Sequence, residues 1–266
     1  MILCQISDTH VTAQRRKAYG VVDTCTMLER CVQQVLTLPQ QPDAVVITGD
    51  LVDAGSPAEY GLLRELLQPL RDAMPLYLLP GNHDEREAFR NAFADHRYLH
   101  QWQPFAQYVI DEHPLRLVAL DTVVSHSASG LLCRERLHWL DQTLAAQPDR
   151  PTVVALHHPP FATGIGFMDR IALDGAAALA EVIRHHPQVE RVIAGHVHRS
   201  LTVRFGGTVA SACPSPAHQV PLDLSPKAAD LFVMEPPGFQ LHWWDGQSLV
   251  THTAFVGDFD GPYPLE

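Results

Sequence analysis

Residues 78–85 read LLPGNHDE, and this stretch sets polar side chains directly after a short apolar run. The run stops at a Pro-Gly turn, as a buried strand does when it reaches the edge of a sheet. Asn82, His83 and Asp84 follow without a gap, and two of the three are potential metal ligands. Asn and His seldom gather at the end of a strand without a chemical role, so the stretch indicates a functional site.

The same arrangement recurs after four other apolar runs, Ile2–Ile6, Ala44–Thr48, Thr152–Leu156 and Val189–Ala194. Open α/β sheets bind ligands at the carboxyl ends of their strands. We therefore expect the five loops to bring their polar side chains into one crevice. The residues that follow these four runs are Asp8-Thr9-His10, Gly49-Asp50, His157-His158 and Gly195-His196-Val197-His198.

Strand patterns alternate with helix patterns as far as about residue 195. Apolar residues at helical spacing predict helices over Thr24–Leu38, Pro57–Leu70, Glu85–Phe93, Arg134–Ala146 and Ala176–His185. After Leu201 the pattern changes to hairpins, with turns at Gly206-Gly207 and Asp245-Gly246. These elements predict one α/β domain over residues 1–266, with mixed sheets stacked in layers. The hairpin region, about residues 201–256, is expected to belong to the second sheet and to offer a dimer or cap surface.

Composition narrows the range of functions. A chain of 266 residues with a formal net charge of −11 is a poor match for a nucleic-acid polymer. No apolar run reaches the roughly eighteen residues that a membrane span needs. The opening MILCQISDTH lacks a basic segment and a cleavage site, so we expect no secretory signal. Five scattered cysteines without a CxxC argue against a disulfide framework and predict a cytoplasmic protein.

The side chains at the strand ends offer carboxylate, amide and imidazole donors but no thiolate. Such a set suits Mn, Fe, Zn or Co. The donors suffice for two ions if one carboxylate bridges them, and paired ions are used for displacement at phosphorus. Spacing alone does not decide which histidine of the doublet, His157 or His158, would be the ligand.

The ordered motifs D-x-H, G-D, G-N-H-D, H and G-H-x-H resemble those of the calcineurin-like metallophosphoesterases, and they span Asp8 to His198. Further stretches resemble the bacterial class III cyclic-nucleotide and glycerophosphodiester phosphodiesterases. The resemblance implies a four-layer sandwich, in which two mixed β-sheets are flanked by helices. The stretches that carry it are Tyr19–Thr24, Gln41–Tyr60, Leu76–Asp84, HHPP with Phe167–Asp169, and Ser215–Val220.

The resemblance also implies a role for each strand-end residue. Asp8, His10, Asp50 and His198 would hold one divalent ion, and Asp50, Asn82, His157 and His196 a second. A hydroxide bridging the ions would attack the phosphorus of a small diester, a 3′,5′-cyclic nucleotide such as cAMP or a glycerophosphodiester. His83 would act on the leaving oxygen. Asp84 would orient that imidazole, or cap the helix predicted from Glu85, or do both.

Other expectations concern the surroundings of the site. His218, Asp121 and Phe161 lie on loops that could reach the substrate. The two ions, two carboxylates and a hydroxide leave a local charge of about +1, which suits a singly charged diester. Homo-oligomers are common in the family that the chain resembles. Two rival readings stay open at this point, a DNA nuclease of the same superfamily and a non-catalytic scaffold that keeps the fold.

Overall fold

A computed structural model describes residues 1–265, and their strands and helices follow in chain order. The strands are β1 Ile2–Ile6, β2 Ala44–Thr48, β3 Leu76–Leu79, β4 Tyr108–Ile110, β5 Arg116–Ala119, β6 Gly130–Leu131, β7 Thr152–Ala155, β8 Leu173–Asp174, β9 Val189–Ala194, β10 Leu201–Phe205, β11 Thr208–Ala212, β12 Gly238–Trp244 and β13 Leu249–Phe255. The helices are α1 Thr24–Leu36, α2 Pro57–Ala73, α3 Arg86–Ala92, α4 Arg134–Ala145, α5 Gly166–Arg170 and α6 Ala176–Arg184.

Helix α2 shows how the local sequence determines where a helix begins and which of its residues are buried. Ser56 accepts a hydrogen bond from the Glu59 backbone N–H, and the Glu59 carboxylate accepts one from the Ser56 N–H, which together form a capping box. Leu63 and Leu67 lie four residues apart and are both fully buried. The helix begins at Pro57, as predicted, and extends past the predicted end to Ala73.

The strands form two large sheets and one small pair. The first sheet has the order β13-β12-β1-β2-β3, and the second has the order β10-β11-β9-β7-β5-β4. Strands β1, β2 and β3 are parallel, as are β5, β7, β9 and β11, while the remaining pairings within these two sheets are antiparallel. Both sheets are therefore mixed. The carboxyl ends of their parallel strands carry the polar loops.

The last hairpin corrects one expectation from the sequence. Strands β10 and β11 join the second sheet, but β12 and β13 belong to the first. Strand β12 pairs antiparallel with β1, with Ile2 opposite Trp243, and the Met1 amino group donates to the Trp244 carbonyl at 2.9 Å. The physical reason is that β2 pairs with only one edge of β1 and leaves the opposite edge open, and a hairpin pattern does not specify which open edge the hairpin will pair with.

Helices cover the outer faces of the two sheets, as the sequence predicted. Leu28 of α1 and Leu67 of α2 share a core cluster with first-sheet strands, whereas Leu140 of α4 and Leu179 of α6 pack with second-sheet strands. Between the sheets, side chains of both meet in the larger cluster, such as Ile6 and Ile193. Among residues 1–265, no helix has the length and apolar character needed to cross a bilayer.

Candidate metal centre and active site

Five polar residues at the strand ends adopt an unusual backbone conformation. The φ angles are 58° at Asp8, 43° at His10, 47° at Asp50, 69° at His196 and 51° at His198. This left-handed region is uncommon for residues other than glycine, and such residues cluster where a site dictates side-chain direction. All five side chains are buried. The backbone thus bends the loops inward at the same end of both sheets.

Glycines next to these residues let the loops pack together. A Cβ atom at Gly81 would lie within 3.0 Å of Asp50 Oδ1, the Asp50 backbone nitrogen and His157 Cε1. A Cβ atom at Gly195 would collide with the Ser7 hydroxyl and approach Asp8 Oδ2 to 2.9 Å. Neither position has space for a larger residue, so the close approach of the loops depends on glycine there.

Three polar side-chain atoms, from His157, Asn82 and Asp50, meet at one point. The Nδ1 of His157 lies 2.8 Å from the Thr48 carbonyl, which can only accept, so Nδ1 carries the proton and Nε2 faces the site. Nε2 lies 3.1 Å from Asn82 Oδ1 and 3.3 Å from Asp50 Oδ1. Burial lowers the pKa of His157, but the Asp50 charge outweighs it and raises the value to about 9. The buried carboxylate therefore attracts a cation to this point, either a proton or a metal ion.

A second group of donors surrounds His198. Its Nδ1 donates to the His218 carbonyl at 2.9 Å, which leaves Nε2 facing the site. That Nε2 lies 3.1 Å from His10 Nε2 and 3.5 Å from Asp8 Oδ1. Burial and the neighbouring His218 hold the pKa of His198 well below its usual range, so the ring is neutral and Nε2 has a lone pair. Two facing ring nitrogens beside a buried carboxylate fit a metal site.

Asp50 lies between the two groups. Its Oδ1 faces His157, and its Oδ2 lies 3.7 Å from His10 Nε2. Ligand atoms of Asp8, His10 and His198 lie within 4.8 Å of one another, and so do those of Asp8, Asp50 and His157. The donor set therefore fits two cations that share the carboxylate of Asp50, and the cluster is suited to a dinuclear site.

His196 and His158 differ in which ring atoms are free. The Nε2 of His196 lies 3.2 Å from the Ile171 carbonyl, so its Nδ1 remains available, and burial lowers the pKa of this ring to about 3. His158 has its Nδ1 2.7 Å from the Thr122 hydroxyl and its Nε2 3.1 Å from the Ala128 carbonyl. Both nitrogens of His158 are engaged. Spacing left the doublet open, whereas the family resemblance implied His157, and these contacts also favour His157 as the ligand.

The structure places His83 at the cavity but gives Asp84 a different role from the one expected. His83 Nδ1 lies 2.7 Å from the Asp53 carbonyl, and the side chain is about one third exposed. Asp84 instead accepts from the Tyr60 hydroxyl at 2.8 Å and from the Leu51 and Gly81 backbone at 3.1 and 2.8 Å. It neither contacts the imidazole nor caps α3, since Glu85 occupies the N-cap. A buried carboxylate accepts hydrogen bonds from the donors around it, and here these are two backbone N–H groups and a tyrosine hydroxyl.

Two of the three expected substrate contacts are also corrected. Asp121 is fully buried, with its carboxylate bonded to Arg86 and to the Ala106 and Val123 N–H groups. Phe161 packs against the core of the second sheet and does not line the cavity. His218 does line it, with its ring 5.5 Å from that of His10.

A cavity of about 580 Å³ opens in front of the two donor groups. Tyr19 and Phe232 stack at 5.2 Å on one side of it, and no sequence pattern indicated that either would lie in the site. Asp53, which faces both His10 and His83, was not predicted as a site residue either. The signal that could have indicated it is its position three residues after Asp50. The residues that line the cavity are His10, Tyr19, Asp50, Asn82, His83, Ala128, Phe167, Met168, Ile171, His196, His198, His218, Val220, Asp230, Leu231 and Phe232.

Known proteins that are similar to this chain carry names that fit a metal-dependent phosphoesterase site. A probable glycerophosphodiester phosphodiesterase from Arcobacter nitrofigilis is 38% identical over 100% of this chain and 97% of its own. A probable cyclic nucleotide phosphodiesterase from Rhodopseudomonas palustris is 34% identical over 97% and 93%. A crystal structure of a dimetal phosphatase from Danio rerio covers 96% of this chain and 98% of its own at 16% identity, with a TM-score of 0.68, which shows a shared fold.

The enzyme class predicted from the sequence, a metal-dependent phosphoric diester hydrolase, agrees with the names of these relatives. The sequence model described as calcineurin-like phosphoesterase matches residues 1–200, which include every strand-end motif. With that match, full-length relatives and the shared fold, the predicted family is confirmed: the chain belongs to the calcineurin-like phosphoesterases.

Proposed function

We propose that the protein is a dinuclear, metal-dependent phosphodiesterase that hydrolyses small phosphodiesters. The observation that carries the proposal is the position of Asp50 between two groups of buried donors whose lone pairs converge. Acceptors that face one another in a buried site repel unless a cation lies between them. The cluster therefore needs cations between its members, and metal ions can take the place of the proton that His157 otherwise holds.

The proposed ligands divide between two ions. Asp8, His10, Asp50 and His198 would hold the first, and Asp50, Asn82, His157 and His196 would hold the second. Hydrogen bonds to the Thr48, His218 and Ile171 carbonyls orient His157, His198 and His196, as is usual for histidine ligands. Because Asn82 is neutral, fewer negative charges face the second ion, so we expect it to bind more weakly.

When bound, the two ions would activate a water molecule and bind the phosphoryl oxygens. The chain contributes His83, whose Nδ1–H is held by the Asp53 carbonyl while the ring borders the cavity. In its protonated form the ring would carry a second proton at Nε2. That proton would pass to the leaving oxygen as the phosphorus–oxygen bond breaks.

The cavity favours a small, singly charged diester as the substrate. Among residues 1–265, those that line it include neither Lys nor Arg, so the chain adds no cation for a dianionic monoester. A volume of about 580 Å³ suits a small molecule rather than a polymer. The names of the relatives support either a glycerophosphodiester or a 3′,5′-cyclic nucleotide as the natural substrate.

Hydrolysis of bis(p-nitrophenyl) phosphate with added Mn²⁺ tests the proposal. We expect wild type and a control, His138→Ala, which removes an exposed imidazole, to be active. His83→Ala should keep its metal content and lose about 10²- to 10⁴-fold in kcat. Asp50→Ala should lose both ions together by elemental analysis. A wild type that binds two ions but does not turn over any diester would favour the scaffold reading, and wild-type rates for His83→Ala would remove its catalytic role.

The natural substrate and the metals require a second experiment. A kinetic panel of cAMP, a 2′,3′-cyclic nucleotide, glycerophosphoethanolamine and glycerophosphocholine would rank the diesters by kcat/KM. Elemental analysis of protein purified without added metal would identify Mn, Fe, Zn or Co. Activity on a DNA duplex that exceeded activity on every small diester would overturn the substrate class and favour a nuclease.

Self-association and location are further parts of the proposal. We propose a homo-oligomer, because Leu222, Leu224 and Leu231 are 62%, 64% and 61% exposed, and Leu231 also lines the cavity. Light scattering that gave only monomer over a wide range of concentrations would contradict this. The five cysteines are free thiols, which is consistent with a cytoplasmic location, and cell fractionation would test it.

A further inference from the structure

Asp230 is a carboxylate at the cavity that no cation of the described chain neutralises. It lines the cavity and is exposed, and within residues 1–265 its side chain forms no hydrogen bond or ion pair. Glu235, on the same segment, is by contrast paired with Arg199 at 2.6 Å. Arg170 also reaches this segment, but it donates to the Ala228 carbonyl at 3.1 Å. Because the described residues that line the cavity include no Lys or Arg, Asp230 gives this wall of the cavity a negative charge.

Two aromatic rings lie beside this carboxylate. Phe232 lines the cavity two residues after Asp230, and the ring of Tyr19 stacks on it at 5.2 Å, with 26° between the ring planes. Burial, helped by nearby carboxylates that include Asp230, raises the pKa of Tyr19 to about 12, so its hydroxyl stays neutral at neutral pH. Aromatic faces carry a partial negative charge and attract cations. This wall of the cavity thus combines a full negative charge with aromatic surface.

The wall is continuous with the proposed metal centre. The ring of His218 lies 5.5 Å from that of His10 and 5.6 Å from that of Phe232. Two ring contacts therefore separate a proposed metal ligand from Phe232, within a cavity of about 580 Å³. A small diester whose phosphate is held at the ions can extend one of its alcohols along these rings to Asp230.

The chemistry of this wall separates the two candidate substrate classes. Carboxylates and aromatic faces both attract alkylammonium groups, including quaternary ones. Choline and ethanolamine esters of glycerophosphate carry such a group, and they are still singly charged at phosphorus. A 3′,5′-cyclic nucleotide has no cation at neutral pH, so a carboxylate at this position does not favour its binding.

We propose that Asp230 and Phe232 form a subsite for an ammonium group, and that the preferred substrates are diesters whose alcohol carries one. Asp230 supplies the charge, and the ring of Phe232 supplies a face for the ammonium methyl or N–H groups. The inference rests on the proposed function, because the ions must hold the phosphate for the alcohol to reach this wall. Asp230 thus determines specificity and takes no part in breaking the phosphorus–oxygen bond.

A matched pair of substrates isolates the effect of the charge. Glycerophosphocholine is compared with the glycerophosphate ester of 3,3-dimethylbutanol, in which carbon replaces nitrogen and the shape is kept. The readout is the ratio of the two kcat/KM values, because a change in metal content or folding alters both values equally. In Asp230→Asn we expect this ratio to fall by about fivefold, the upper end for a solvent-exposed charge pair. Asp230→Glu, which restores the charge, should recover part of the ratio.

Three further measurements test the components of the subsite. Phe232→Leu keeps an apolar side chain but removes the ring, so the ratio should fall by about twofold or more. Raising the salt concentration should lower the ratio in wild type but not in Asp230→Asn, because salt screens an exposed charge. The control, Asp223→Asn, removes an exposed carboxylate that does not line the cavity, and it should leave the ratio unchanged.

Vesicles of phosphatidylcholine distinguish a soluble ester from a lipid headgroup as the source of the ammonium. We expect wild type to hydrolyse glycerophosphocholine and to leave the vesicles intact, since a cavity of this size suits a small molecule. Hydrolysis of the vesicles that Asp230→Asn impaired would support the ammonium subsite and assign it to a lipid headgroup.

The proposed function and the proposed subsite would fail in different ways. If metal-loaded wild type hydrolyses neither these esters nor cAMP nor bis(p-nitrophenyl) phosphate, the proposed function itself fails. If wild type hydrolyses diesters and the ratio in Asp230→Asn equals that in Asp223→Asn, only the ammonium subsite fails. A higher kcat/KM for cAMP than for glycerophosphocholine in wild type would also overturn the proposed preference.

Discussion

Replacing Gly81 by alanine tests how closely the loops are packed at the metal centre. The added methyl would lie within 3.0 Å of three atoms, one of which is the backbone nitrogen of Asp50 and another a carboxylate oxygen of that residue. Ordinary contacts of a Cβ atom begin near 3.4 Å. A backbone atom cannot rotate away, so the loops must separate. Overpacking of this kind costs about 1–3 kcal/mol of unfolding free energy, and it also displaces Asp50.

Urea unfolding in EDTA measures the first effect without metal, and Mn²⁺ titration measures the second. With a urea dependence of about 1–3 kcal/mol per molar, the midpoint should fall by roughly 1 M. Gly61→Ala is the matched control, because a Cβ at Gly61 in α2 meets nothing within 4 Å and should stabilise the helix by about 1 kcal/mol. If Gly81→Ala lost less than about 0.5 kcal/mol and bound Mn²⁺ like Gly61→Ala, the packing argument would be refuted.

Three further predictions use other buried groups. Tyr60→Phe leaves Asp84 Oδ1 without its donor, and urea unfolding should show a loss of about 1–3 kcal/mol; an unchanged midpoint would contradict this. Burial and the Arg191 charge lower the pKa of His242 to about 3, below an unfolded value near 6.5, so protonation favours unfolding. Relative to His242→Gln, wild type should therefore lose about 2 kcal/mol between pH 6.5 and 5, and a difference that does not change with pH would refute it. His157→Ala should lose the second ion by elemental analysis and His158→Ala should keep both, whereas the reverse result would reassign the ligand.

Much of the architecture follows from local sequence. The strands before the polar loops and the starts of α1 and α2 fall where apolar spacing and capping residues predict them. Asp8, Asp50 and His198 come together because the parallel strands of both sheets have their carboxyl ends at the same end of the sandwich. Glycines that leave no room for a Cβ, such as Gly81, mark the same points.

The parts that the sequence did not predict depend on distant neighbours. Asp84 follows His83 in the chain, but its partner Tyr60 lies 24 residues away on α2. Asp121 follows a strand in the same manner as the site residues, yet Arg86 draws its carboxylate into the protein. A position at the end of a strand predicts where the backbone of a residue lies. The charges and hydrogen-bond donors around that residue decide which way its side chain points.

The pairing of β1 with β12 has a consequence for how the chain acquires its structure during synthesis. The two strands lie at opposite ends of the chain, and the Met1 amino group meets a carbonyl 243 residues later. A ribosome releases β2 and β3 soon after β1, so one side of β1 is completed early, but the other side stays open until β12, Gly238–Trp244, has been made. Such a bare strand edge invites association between nascent chains. We therefore expect truncation before residue 238 to leave a product that aggregates, even though every proposed metal ligand has already been translated.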